Sequence, residues 1–322
     1  MSRSTSRRLL PCTVLAGSLL LVACGGGESS SPAAGGEGGG SAVDLSGVAI
    51  SVGSKEFTEQ RVLGQIAVKA LEGAGADVTD RTNLTGTSVV RKALTGGQID
   101  VYYEYTGTGW ITILGKTDPV QGAQEQFDAV KQADAANGIT WFARAEANNT
   151  FAIAANTQAQ EEFGVKTISD YAKVAADPKK GRLCSSAEFI NRNDGLPGLE
   201  KLYGFTLPRA EVVQLEPALV YTQVGKGEDC DFAVVFATDG SILNNDLKVL
   251  EDDKAFFPPY NIAPTMKTEV YQANAKEYDE LFGAISAKLT DEALTQLNAR
   301  VDVDGEDPAD VAQAFLDEAG LL

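Results

Sequence analysis

The sequence predicts an α/β fold of two units, each a sheet with helices against its faces. Three observations carry that expectation. Strand-like and helix-spaced runs alternate between residues 48 and 105, the alternation restarts near residue 150, and from residue 269 onward the chain is nearly all helix-spaced. Parallel strands joined by crossover helices leave this kind of trace in a sequence.

"VAISVG" (48–53) reads as a short apolar strand ending at a glycine. From Thr58, the residues Leu63, Ile66, Ala67, Ala70 and Leu71 recur at helical spacing until "GAGA" stops them. "DVTDRT" is then a strand, "TSVVRKALTGG" a helix and "IDVYYEY" a strand, which completes a βαβαβ run. A helical stretch at 122–136 closes this unit. The second opens with the strand "TFAIAAN" (150–156), followed by "TISDYAKVAAD", a helix for which Ser169 or Asp170 is the expected cap. "GRLCSS", "AEVVQL" and "DFAVVF" are further strands, separated by helices near 196–203 and 217–224. In the tail, Asp307-Pro308 supplies a cap followed by proline at the first helical position.

The N-terminus stands apart from this pattern. Arg3, Arg7 and Arg8 precede an apolar run at 9–22, shorter than the ~20 residues a membrane-spanning helix needs. Residues 1–23 read as a signal peptide, and their end with Cys24, "LVAC", resembles the lipobox of bacterial lipoproteins. That resemblance implies lipidation of Cys24 and anchoring on the outer face of the cytoplasmic membrane. The alternative is an ordinary secretion signal with an accidental cysteine. Residues 24–44, rich in glycine, serine and alanine, have no hydrophobic period and form a flexible tether reaching about 25 Å.

Charge and rare residues exclude several functions. The 322-residue chain has a formal net charge of −18, and loss of the three arginines with the signal takes it to −21. Phosphates would be repelled, which argues against nucleic acid as a partner. The chain has 0 histidines, so Ser-His-Asp and Cys-His catalysis and His-ligated metal sites are excluded. Cys184 and Cys230 remain in the exported body as an even pair, read as a disulfide, with two buried free thiols as the alternative. "GTGWITILGKT" (107–117) ends like a phosphate loop but has its glycine one place too early and bulky residues where amides must meet phosphate. "DVDGEDPAD" (302–310) misplaces the glycine of a calcium loop and reads as a solvated acidic helix start.

"DVYYEYTGTGW" (100–110) concentrates four aromatic residues in a chain that is 7% aromatic. On a strand, Tyr103 and Tyr105 share one face, and Tyr102 and Glu104 the other. Tyr105 stands at the strand's carboxyl end, where open α/β sheets place their ligand crevice. The "TGTG" that follows leads into "WITIL", a predicted helix whose free amides would favour an anion. Packing between helix and strand is the plain alternative for all three tyrosines.

"GSKEFTEQ" (53–60), "EYTGT" (104–108), "NRNDGLPGLEKLYGF" (191–205), "EPALVYTQV" (216–224), "TDG" (238–240) and "LEDDKAFFPPY" (250–260) occur in this order. Together they resemble the substrate-binding proteins of osmoprotectant ABC transporters, the binders of glycine betaine, choline and carnitine, over residues 48–322. The resemblance implies a two-lobed clamshell of the periplasmic-binding-protein type II kind, with residues 45–148 and 252–322 in one lobe and 149–251 in the other. It implies a quaternary ammonium held by Tyr105, Phe151, Phe236 and Tyr260, and a carboxylate met by Lys55, Thr108 and Arg192. Phe151 and Phe236 depart from the all-tyrosine cage of well-known members, which leaves another methylated cation or an amino-acid derivative as an alternative cargo. It further implies a monomer without cofactor or metal, partnered by an ABC permease and its cytoplasmic ATPase. A less favoured alternative is an enzyme using Glu104 with a second carboxylate.

Overall fold

The first strand, β1 (Ala49–Lys55), alternates Ile50 and Val52 into the interior. β2 (Asp77–Leu84) lies beside it as an edge strand whose charged, exposed side chains discourage further pairing. β3 (Val101–Tyr105) is buried throughout, and β4 (Ile139–Trp141) is a three-residue edge. The computed structural model describes residues 43–116, 120–177, 179–191 and 195–322. The signal peptide, Cys24, most of the tether and Arg192 lie outside the described residues.

A second sheet is built from β5 (Phe151–Ala155), β6 (Leu183–Ser186), β7 (Val212–Leu215), β8 (Phe232–Phe236) and β9 (Lys248–Val249). The chain then returns to the first sheet as β10 (Ile262–Lys267). The strand orders are β2-β1-β3-β10-β4 and β7-β6-β8-β5-β9. β1 is parallel to β2 and β3, and β6 is parallel to β7 and β8. β10 runs antiparallel to β3 and β4, and β5 antiparallel to β8 and β9. The sheets are therefore mixed rather than parallel. β5 and β10 are each the first strand after a crossing between the sheets, and each is laid down against the direction of its neighbour. Two sheets with the same plan, linked twice, give a two-lobed α/β molecule.

The Thr58–Gly73 helix buries Val62, Leu63, Ile66, Ala67, Ala70 and Leu71 on one stripe. Its partners include Val311, Ala312, Phe315 and Leu316 of the Pro308–Glu318 helix, so the helical tail closes the core of the first sheet. In the second lobe, Cys184 and Cys230 are joined by a disulfide with Cα atoms 5.7 Å apart. The loop it closes spans 46 residues, which on loop-closure entropy stabilises the fold by about 4 kcal/mol.

Two local expectations are corrected, and β10 is a strand that the sequence did not announce. The Ile168–Ala175 helix is capped by Thr167, whose hydroxyl accepts from the Asp170 amide while Asp170 answers at the third helical position. Ser169 and Asp170 lie inside the first turn. "WITIL" belongs to a π-helical turn, Thr108–Ile113, not to an α-helix. β10 carries Pro264 at a position paired with Tyr103, where pairing with β4, which runs from Thr265 to Lys267, has already ended. A proline without its N–H is tolerated there.

Candidate functional site

Tyr105 is the last residue of β3, and Lys55 the last of β1 beside it. Both strand ends open toward the second sheet. There the antiparallel register pairs Phe151, the first residue of β5, with Phe236, the last of β8. Their rings stack at 4.9 Å with an interplanar angle of 24°. Across from them, Phe57 stacks on Tyr105 at 6.2 Å and 23°. Phe57 and Phe236 are 42% and 43% exposed, unusual for phenylalanines placed by a strand end and a helix start.

Both ring pairs line one cavity of about 570 Å³. Lys55, Tyr105, Thr108, Phe151, Phe236 and Tyr260 all line it, so six of the seven sequence-predicted ligand positions meet in one place. The seventh, Arg192, is outside the described residues. Thr108 is delivered by the π-helical turn, which fits only because Gly107 and Gly109 have no side chains. A Cβ at Gly107 would lie 2.7 Å from the Tyr260 ring, and one at Gly109 2.6 Å from Trp141. The "TGTG" therefore seats a ring, but six residues of π-helix carry little of the dipole expected for an anion site.

The electrostatics differ from a simple carboxylate-binding end. Lys55 is 4% exposed, and its Nζ lies 2.5 Å from Glu104 Oε1. The same ammonium sits 5.1 Å from the Tyr105 ring centre. Glu104, fully buried, also accepts from the Tyr102 hydroxyl at 3.1 Å and the Tyr105 amide at 2.8 Å. Glu104 thus serves a buried ion pair and has no free carboxylate for acid–base work.

Sequence reasoning missed Phe57, Glu59, Asn149, Asp239 and Asn298, all of which line the cavity. Phe57 had a signal: it lies inside "GSKEFTEQ", two residues after Lys55. Glu59 is 3% exposed and gathers four donors. Tyr105 donates its hydroxyl to Oε1 at 2.7 Å and Asn149 its amide at 3.0 Å. Thr238 donates to Oε2 at 2.5 Å and Asn298 at 3.0 Å. Burial pushes the Glu59 carboxyl up, and the hydrogen bonds from Thr238, Tyr105, Asn298 and Asn149 oppose it. Burial, reinforced by Glu59, holds the Tyr105 phenol well above its ordinary range, so it stays a neutral donor.

Among the described lining residues, four acids (Glu56, Glu59, Asp239 and Asp302) face one lysine that already has a partner. Glu56 accepts from the Gly86 amide at 2.8 Å, which holds its carboxyl below the usual range. Asp302 accepts from Thr58 at 2.5 Å, and Asp239 from the Ser241 amide at 2.8 Å. Tyr102 and Tyr103 are absent from the lining and packed in the core. Tyr221 is a buried support whose hydroxyl accepts from the Phe236 amide at 3.1 Å. An open aromatic floor within an acidic rim suits a cation that cannot donate hydrogen bonds.

Comparison with known proteins gives this geometry a context. The family model described as the substrate-binding domain of ABC-type glycine betaine transport systems matches residues 48–318. A glycine-betaine-binding protein of Pseudomonas aeruginosa is 37% identical over 279 residues, covering 85% of this chain and 88% of its own. The solved apo form of YehZ from Escherichia coli is 32% identical and superposes with a TM-score of 0.76, covering 85% of this chain and 99% of that one. An ergothioneine transport permease and binding protein of Helicobacter pylori, EgtU, is 29% identical over 84% of this chain and 47% of its own length.

Proposed function

This chain belongs to the family of substrate-binding domains of ABC-type glycine betaine transport systems, whose members bind solutes for transport and are not enzymes, and from that premise we propose that it captures a quaternary-ammonium osmoprotectant such as glycine betaine, choline or carnitine. The observation that carries the reading is the meeting of two stacked aromatic pairs, one at the end of each sheet, in one acidic cavity. A trimethylammonium group has no N–H, so ring faces and dispersion recognise it better than hydrogen-bond acceptors do. Each ring contributes about 1–2 kcal/mol in a dry cage. Tyr105, Phe151, Phe236 and Tyr260 form that cage, with Phe57 as a fifth wall. Thr108, Lys55 and Arg192 take the other end of the ligand.

The mechanism is a shift in population. The ligand touches Tyr105 and Thr108 beside the first sheet, and Phe151 and Phe236 at the end of the second. It favours the closed arrangement only through contacts it makes in both lobes at once. The closed lobes then present a joint surface to an ABC permease, which a cytoplasmic ATPase drives. Cys24, carrying lipid, and the tether at 24–44 hold the receptor near that permease, outside the cytoplasmic membrane, as a monomer. We take the lobes to divide at residues 149 and 252, near the two crossings between the sheets.

Titration calorimetry with choline, glycine betaine and carnitine tests this. At least one binds the wild type, and Phe236→Ala weakens it tenfold or more while the melting temperature stays within a few degrees. Undiminished affinity in the variant would remove the cage. A second reading, another methylated cation or an amino-acid derivative in the same cleft, is favoured by Phe151 and Phe236 and by the H. pylori relative named for ergothioneine. Binding of such a compound in preference to all three osmoprotectants would select it.

A further inference from the structure

Glu104 does not line the cavity, yet it determines the charge that the cavity's lysine offers. Lys55 is the one basic side chain among the described lining residues. Its Nζ is held 2.5 Å from Glu104 Oε1, and that carboxylate is fixed in turn by the Tyr102 hydroxyl at 3.1 Å and the Tyr105 amide at 2.8 Å. Both partners are buried, so little water screens the pair and its two charges cancel over a short distance. A ligand entering the cleft meets Lys55 as a hydrogen-bond donor with little net field. Glu56, Asp239 and Asp302, in contrast, keep the rim acidic.

We propose that Glu104 is a specificity-determining, positioning residue: by neutralising and aiming Lys55, it biases the cleft toward ligands that carry a quaternary ammonium without a carboxylate. The proposal rests on the cage reading above and concerns the opposite end of the ligand. Removing the negative charge from position 104 leaves Lys55 positive toward the ligand. A carboxylate then gains attraction, and a bare cation gains repulsion. A purely structural role would weaken both ligands together.

The test uses choline chloride and glycine betaine as probes, with the wild type and Glu104→Gln compared by calorimetry at fixed salt. The variant should bind glycine betaine more tightly and choline more weakly, moving the ratio of the two dissociation constants at least tenfold toward glycine betaine. Glu104→Asp, which restores the charge, should return the ratio to within about threefold of wild type. The double variant Lys55→Gln/Glu104→Gln removes both charges of the pair, so neither is left buried without its partner, and its ratio should also return to the wild-type side. An unmoved ratio in Glu104→Gln, equal losses for both probes, or a double variant that keeps the shifted ratio overturns the role. Failure of both probes to bind the wild type overturns this role, and failure of carnitine as well removes the cage reading with it. Binding with an unmoved ratio removes only the role of Glu104.

Discussion

At the scale of single residues, Glu59 joins more of the molecule than any cage ring does. Its four donors come from β3, from the segment before β5, from the loop after β8 and from the Asp291–Asp302 helix. Glu59→Ala strands those donors and costs about 2–4 kcal/mol in urea unfolding, the cost of unsatisfied buried polar groups. The pH dependence has a definite sign. Burial raises the folded-state carboxyl above the unfolded value near 4.5, so the folded state binds this proton more readily. The stability linked to that proton is fully present below the unfolded value and is lost as pH rises through the folded one. The Thr238 hydroxyl can rotate to accept from the protonated acid. Against Glu59→Gln, which cannot titrate, the wild type should therefore gain stability as pH falls from 7 toward 4.5. A difference that is flat, or that grows with pH, would contradict the assignment. None of this was legible in the letters: a glutamate in the first turn of a helix reads as a solvated charge, and only the folded cleft shows it buried.

Elements place the rings, and here the sequence said more. The strand ends at Tyr105 and Phe236 were readable because alternation and flanking turns mark where a strand stops, whereas the first strand runs two residues past the glycine at which it was expected to end, to Lys55. The pairing of Phe151 with Phe236 was not, since register is a property of two strands. β10 escaped because Pro264 sits in its middle, and the mixed sheet direction escaped because an alternating rhythm looks alike whichever way the crossing strand is laid down. The cap at Thr167 was missed by two or three residues, close to the usual uncertainty of helix ends. The turn after β3 offers a paired test. Gly107→Ala drives a Cβ into the Tyr260 ring, while Gly109→Ala drives one into Trp141 and Val130 behind the sheet. Overpacking should cost each about 1–3 kcal/mol of stability. Only Gly107→Ala should also weaken quaternary-ammonium binding, by about fivefold or more in calorimetry. Equal ligand losses in the two variants would mean Tyr260 is no part of the cage.

For the whole molecule, the question is how two lobes linked by two crossings can close on a guest. The crossings run side by side. Asn148 and Asn261 form a bridge, Asn261 Nδ2 donates to the Glu146 carbonyl at 2.8 Å, and Thr150 donates to the Pro258 carbonyl at 3.0 Å. Close to them, the loop after β8 rests on the Asp291–Asp302 helix, with Asn298 donating to the Thr238 carbonyl at 2.7 Å. Gly240 makes that approach possible, because a Cβ there would lie 2.4 Å from the Ala299 nitrogen and 2.7 Å from the Asn298 carbonyl carbon. Helix backbone cannot yield as a side chain can. Gly240→Ala should therefore wedge the loop away from the helix and reduce the fraction of molecules able to close. Apparent affinity falls in proportion to that fraction, so a tenfold smaller closed population weakens binding tenfold without any change at the cage. The expected result is a variant that stays folded, binds at least tenfold more weakly, and shows by small-angle scattering less compaction on ligand addition than the wild type. Wild-type affinity together with wild-type compaction would show that this contact is no part of the closing motion, leaving the two crossings alone to guide it.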